Sequence, residues 1–152
     1  MFKTPSSWLL ACVLFSLVAV SSVVLAASGG HDDLQADYSE FNVKEFVDRE
    51  ISGHSVTVFS KSYCPYCARC IRLLKRLNIP DVQVIQLDEL ADGSEIQDEL
   101  LERTGRRTVP SVWIAKEFVG GSDDLHQAHR EGRLQKLLQE KGIPFNDFKD
   151  EL

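Results

Sequence analysis

The chain has no second cysteine pair, no internal repeat and no excess of basic over acidic residues, and these gaps narrow what it does. With 17 lysines and arginines against 23 acids its net charge is -6, whereas phosphate neutralisation by a nucleic-acid binder requires a basic surface. Cysteines number four, and removal of the leader described below would discard Cys12. The remaining Cys64, Cys67 and Cys70 are an odd set, unsuited to a purely structural disulfide framework. Zinc is the other common use of clustered cysteines, but neither a second pair nor a nearby histidine completes four ligands, so no metal is expected. Lacking repeats, 152 residues less a leader make one domain of ordinary size around a single core.

Long apolar runs are equally scarce. The main one, Trp8 to Leu25, follows Lys3 and precedes the small residues around Ala26, so residues 1–26 read as a signal peptide. An uncleaved signal anchor is the alternative, because a nearly unbroken apolar run of 18 residues just about suffices to cross a bilayer, and only then would the protein hold a membrane. Either way the remainder faces an oxidising lumen, with Lys3 left on the cytosolic side. Residues 27–40 are a polar spacer, and 41–143 form the domain. Residues 144–152 follow Gly142 as an exposed tail ending in Lys149-Asp150-Glu151-Leu152, the tetrapeptide read by the KDEL receptor for retention in the endoplasmic reticulum.

Within the domain, apolar spacing predicts a helix from Phe41 to Ile51, stopped by Gly53, and a β-branched strand over Ser55–Ser60. A helix then opens at the cysteine motif and breaks at Asn78-Ile79-Pro80. Strand Val82–Leu87, helix Ile96–Thr104 closed by Gly105, strand Ser111–Ala115, a turn at Lys116-Glu117, strand Phe118-Val119 and one helix from Leu125 to Leu138 follow. This order predicts an α/β fold, a small mixed sheet flanked by helices.

The chemistry concentrates at Cys64-Pro65-Tyr66-Cys67, where strand becomes helix. Two cysteines so spaced close a small reversible disulfide, and the helix-end amides and dipole favour the thiolate at Cys64, with Lys61 adding charge. Cys64 is therefore the expected nucleophile and Cys67 its resolving partner. Cys70 reads as a small buried packing residue or a regulatory third thiol, access being what decides. His126 and His129 read as surface.

Lys61-Ser62-Tyr63-Cys64-Pro65-Tyr66-Cys67, Ile96-Gln97-Asp98-Glu99-Leu100, Thr108-Val109-Pro110 and Gly120-Gly121-Ser122-Asp123-Asp124, with Leu73-Leu74 between, together resemble the dithiol glutaredoxins of the thioredoxin-like superfamily. The resemblance spans about Phe41 to Ile143. It implies a thioredoxin-like fold with a four-stranded sheet, a monomer, and an enzyme that uses glutathione as cosubstrate on glutathionylated or disulfide-bonded proteins. It further implies that Lys61, Gln97 and Arg107 face the glycine carboxylate of glutathione and that the Thr108-Val109 backbone pairs with its cysteine moiety. Pro110 would be cis beside Cys64. Amides from Ser122 through Asp123 to Asp124 would hold the γ-glutamyl carboxylate, and Asp124 its ammonium; helix capping is the plainer reading of Asp123 and Asp124. Tyr66 would line the groove or simply pack on the surface. Two other functions stay open. A dimer bridged by an iron-sulfur cluster on Cys64 and glutathione would show in the visible spectrum, and a glutathione-independent oxidase would ignore the turn at Gly120 to Asp124.

Overall fold

The computed structural model describes residues 41–146. The expected leader with Cys12, the spacer, and the terminal tetrapeptide lie outside them. Ten elements follow one another: α1 (Val43–Gly53), β1 (Val56–Ser60), α2 (Pro65–Arg76), β2 (Val82–Gln86), a single 3-10 turn (Leu87–Glu89), α3 (Gly93–Thr104), β3 (Ser111–Ile114), β4 (Glu117–Gly120), α4 (Ser122–Arg130) and α5 (Arg133–Glu140).

The strands form one sheet in the order β2-β1-β3-β4. β1 runs parallel to β2 and antiparallel to β3, and β3 pairs antiparallel with β4, so the sheet is mixed as expected. Strand side chains alternate between faces, and the core divides accordingly. Val56, Val58, Val112 and Ile114 face Leu73, Leu74 and Leu77 of α2 together with Leu125, Leu134 and Leu138. Phe59, Ile85 and Trp113 face Val47 and Ile51 of α1 and Ile96 and Leu100 of α3. The result is three layers, helix, sheet, helix.

Local signals account for most boundaries. Asn42 caps α1, its side-chain oxygen accepting from the amides of Lys44 and Glu45 at 3.1 and 3.2 Å. Pro65 opens α2, where a missing N–H costs nothing, and Lys75 and Arg76 complement the dipole at its far end. Gly105 ends α3 in the left-handed conformation, its N–H bonded to the Leu101 carbonyl at 2.8 Å.

Four expectations are corrected. The last helix is two, because Gly132 at φ +73° turns the chain between α4 and α5; both bury apolar residues in the same cluster, so the periodicity runs through the break. The hairpin turn is Ala115-Lys116, both at positive φ, one residue earlier than expected, since Ile114 pairs directly with Glu117. His129 is buried and its ring nitrogen lies 2.9 Å from the Gln135 amide, while half-buried His126 meets the Ser122 carbonyl at 2.8 Å; packing of α4 against α2 and the sheet turns that face inward. The chain past Pro144 is not all exposed: Phe145 packs on the core and the Asn146 amide bonds the Leu77 carbonyl at 2.7 Å.

Candidate active site

β1 delivers the chain to Lys61, and a short turn closed by the Cys64 amide and Lys61 carbonyl at 3.1 Å leads into α2. Cys64 is the N-cap residue of that helix, with extended backbone and no side-chain cap of its own. Its sulfur thus lies at the positive end of the α2 dipole, half-buried and open to a partner. Cys67, one turn on, is 1% exposed, and Cys70, another turn on, is fully covered. All three are free thiols.

Burial decides the character of the two inner thiols. It pushes Cys67 up from the ordinary thiol value; the Ser60 hydroxyl and Lys61 backbone oppose this, and the neighbouring Cys64 adds to it. Cys70 is pushed up to about 11, again by burial, against the Ser122 hydroxyl. Cys70 is enclosed, as its packing reading requires, whereas a regulatory role would need the thiol to become accessible.

The loop before β3 lies against Cys64. The sulfur is 4.0 Å from the Val109 carbonyl oxygen, and the Val109–Pro110 peptide is cis. Thr108 is exposed, Val109 half-buried and Pro110 buried. Gln97, 7% exposed on α3, donates to the Arg107 carbonyl at 2.8 Å and so holds this loop from below. The Arg107 side chain turns back to α3, bonding Asp98 at 2.5 Å and Ser94 at 3.1 Å. Asp88 anchors the other flank through the Ser62 amide and hydroxyl at 2.9 and 2.5 Å, with the Lys61 charge beside it. Tyr66 projects from the first turn of α2, 57% exposed.

The turn into α4 completes the surface. A side chain added at Gly121 would come within 3.6 Å of the Pro110 carbonyl, so this turn abuts the cis loop. The Asp124 carboxylate accepts from the Gly121 amide at 2.9 Å, the capping role, and also from Arg106 at 2.5 Å. Together these hold it well below the usual carboxylate range, the amide contributing most. Asp123 pairs with Arg69 of α2 at 2.8 Å, tying the two helices together. Ser122 is buried, its hydroxyl turned toward Cys70, which leaves only its backbone for a ligand. Arg106 and Asp88 were not singled out in the sequence; nothing local distinguishes Arg106 from Arg107, and only the fold brings Asp88 to Ser62.

Among the described residues no three His, Cys, Asp or Glu side chains are placed to hold a metal ion. Neither is any helix among them long and apolar enough to cross a membrane.

The glutaredoxin family model matches residues 56–119. Glutaredoxin-C8 of Oryza sativa subsp. japonica is 42% identical over 125 residues, covering 82% of this chain and 88% of its own. The chain belongs to the glutaredoxin family. Glutaredoxin-C4 of Arabidopsis thaliana is 40% identical over 127 residues, covering 83% of this chain and 87% of its own. The crystal structure of a buckwheat glutaredoxin–glutathione complex superposes with a TM-score of 0.64 at 38% identity, over 67% of this glutaredoxin and 92% of that chain. The fold is thioredoxin-like, and the enzyme class is that of glutathione-dependent thiol oxidoreductases.

Proposed function

We propose that this glutaredoxin removes and adds glutathione on protein thiols in the lumen of the endoplasmic reticulum. The observation that carries the reading is the asymmetry of the pair: an accessible Cys64 at a helix start beside the Val109 carbonyl, and an enclosed Cys67 behind it. The Cys64 thiolate attacks the glutathione sulfur of a protein–glutathione disulfide; that S–S bond breaks, Cys64–glutathione forms, and the protein thiolate leaves and takes up a proton. A second glutathione, as thiolate, attacks the glutathione sulfur of that adduct; the Cys64–S bond breaks, glutathione disulfide forms and Cys64 leaves as the free thiolate. In the two-cysteine route the Cys67 thiolate attacks Cys64 instead, giving the Cys64–Cys67 disulfide and releasing glutathione.

Glutathione would lie across the cis loop with its cysteine backbone along Thr108-Val109, as it is bound in some form by the similar buckwheat protein. Lys61 would meet the glycine carboxylate, with Gln97 acting through the loop it supports. Arg107 keeps guanidinium donors beyond those on Asp98 and Ser94 for the same carboxylate. The α4 amides would hold the γ-glutamyl carboxylate, and Asp124 would share its charge between Arg106 and the ammonium. Reduction of a glutathionylated peptide tests this. Cys64→Ser abolishes turnover, whereas Cys67→Ser retains it; loss in folded Cys67→Ser would show that the one-cysteine route does not operate.

The leader, the oxidising lumen and the terminal tetrapeptide support the location. A glutaredoxin potential near about -200 to -230 mV against a lumenal poise near about -180 to -210 mV leaves the pair largely oxidised, so glutathione addition and disulfide donation are open to it there.

A further inference from the structure

The whole-chain charge of -6 conceals a basic face. Residues 51–80 contain Lys61, Arg69, Arg72, Lys75 and Arg76 and not one acid. On the side of α2 away from the cis loop a groove of about 290 Å³ passes Cys67 and is bordered by Lys61, Arg72 and Lys75. Arg69 is spent on Asp123, and Lys61 lies beside Asp88. Arg72 and Lys75 are exposed and meet no acidic side chain among the described residues. The half-buried Ile71 supplies an apolar floor, while the buried side-chain oxygen of Gln86, without a hydrogen-bond partner, borders the same groove.

A groove with two cations that meet no acid among the described residues, a narrow apolar floor and an unpartnered side-chain oxygen fits an extended acidic peptide. The reading rests on the mixed-disulfide activity proposed above. Glutathione takes the side of Cys64 formed by the cis loop and the α4 turn, so the protein half of the disulfide must leave across the other side, where this groove begins. We propose that it is the docking site for substrate proteins, and that it selects those with acidic residues near the modified cysteine. Cys64, where the substrate sulfur sits, to Arg72 is eight residues of helix, about 12 Å. An extended chain covers that distance in about four residues, which sets the favoured spacing between the substrate cysteine and its acids.

Three glutathionylated peptides, alike except for Glu, Gln or Lys four residues from the cysteine, provide the test. The purified protein at low ionic strength should prefer the Glu peptide over the Lys peptide by about tenfold in kcat/KM, and molar salt should erase the difference. Arg72→Glu with Lys75→Glu should reverse the order, and the Gln pair at these positions should flatten it. Both variants should keep full activity on a small glutathione–cysteamine disulfide, which shows them folded and catalytically intact. An unchanged order in the variants, or no preference in the parent, overturns the docking site. A shifted KM for glutathione in the Gln pair would make the groove a glutathione site instead. Failure of the parent on all three peptides, with the small disulfide still turned over, would remove the protein-deglutathionylation reading itself.

Discussion

Cys64 and Cys67 are three residues apart and differ mainly in how much of each is covered, and that difference assigns their roles. Cys67 must lose a proton before it attacks Cys64, and burial holds its proton above the usual thiol range. Conversion of Cys64–glutathione to the Cys64–Cys67 disulfide should therefore accelerate by about tenfold per pH unit through neutrality, in stopped-flow measurements on the adduct. A flat profile would mean that Cys67 is already ionised. Lys61 and Asp124 separate binding from folding. Lys61→Ala should raise KM for glutathione by about tenfold with little change in Tm, since it removes a charge-assisted contact and no cap. Asp124→Ala should raise KM and also cost about 1 kcal/mol of stability, because the Gly121 amide loses its acceptor. The Asp124 carboxylate has its folded pKa lowered, so its stabilisation is complete above the ordinary carboxylate pKa and is lost only as pH falls through the lowered value. Thermal unfolding and steady-state kinetics on the two variants check both statements.

At the scale of elements, two helical glycines carry opposite obligations. Gly53 ends α1 with open space where a side chain would go. Gly93 opens α3, where an added Cβ would stand 1.8 Å from the Leu87 carbonyl oxygen. Only glycine lets α3 start so close to the 3-10 turn, and α3 in turn places Gln97 beneath the Arg107 carbonyl. Gly53→Ala should stabilise the domain by about 0.4–1 kcal/mol through the unfolded chain. Gly93→Ala should destabilise it by about 3 kcal/mol and lower activity through the loop. Denaturant midpoints for the pair test the contrast, and equal effects would contradict the close approach.

For the whole molecule, the proposed endoplasmic-reticulum address is separable from the domain. Described structure runs to Asn146, whose amide still bonds Leu77, and the tetrapeptide lies beyond it. Deleting Lys149–Leu152 should leave Tm and deglutathionylation unchanged while the protein, provided its leader is cleaved at Val24-Leu25-Ala26 and no anchor holds it, moves along the secretory route. Retention of a truncated form with a processed amino terminus would show that something other than the tetrapeptide holds it.

Sequence by itself determined the order of strands and helices as far as α4, the cysteine pair at a strand-to-helix junction and the family, because these rest on local periodicity, capping and contiguous motifs. Pro65 before a run of buried residues and Gly105 after α3 are readable without neighbours. Tertiary structure alone decided which charges are spent and which are free. The adjacent Arg106 and Arg107 are chemically equal in the chain, yet one meets Asp124 and the other Asp98. His129 looks like a surface histidine until α4 turns it inward, and Gly132 looks like part of a helix because both sides of the break share one core. The basic face of α2 is visible as composition, but that Arg72 and Lys75 meet no acid among the described residues, where Arg69 meets one, depends on residues more than fifty positions away. Burial and pairing are sums over contacts between distant segments, and such sums exist only once the chain has folded.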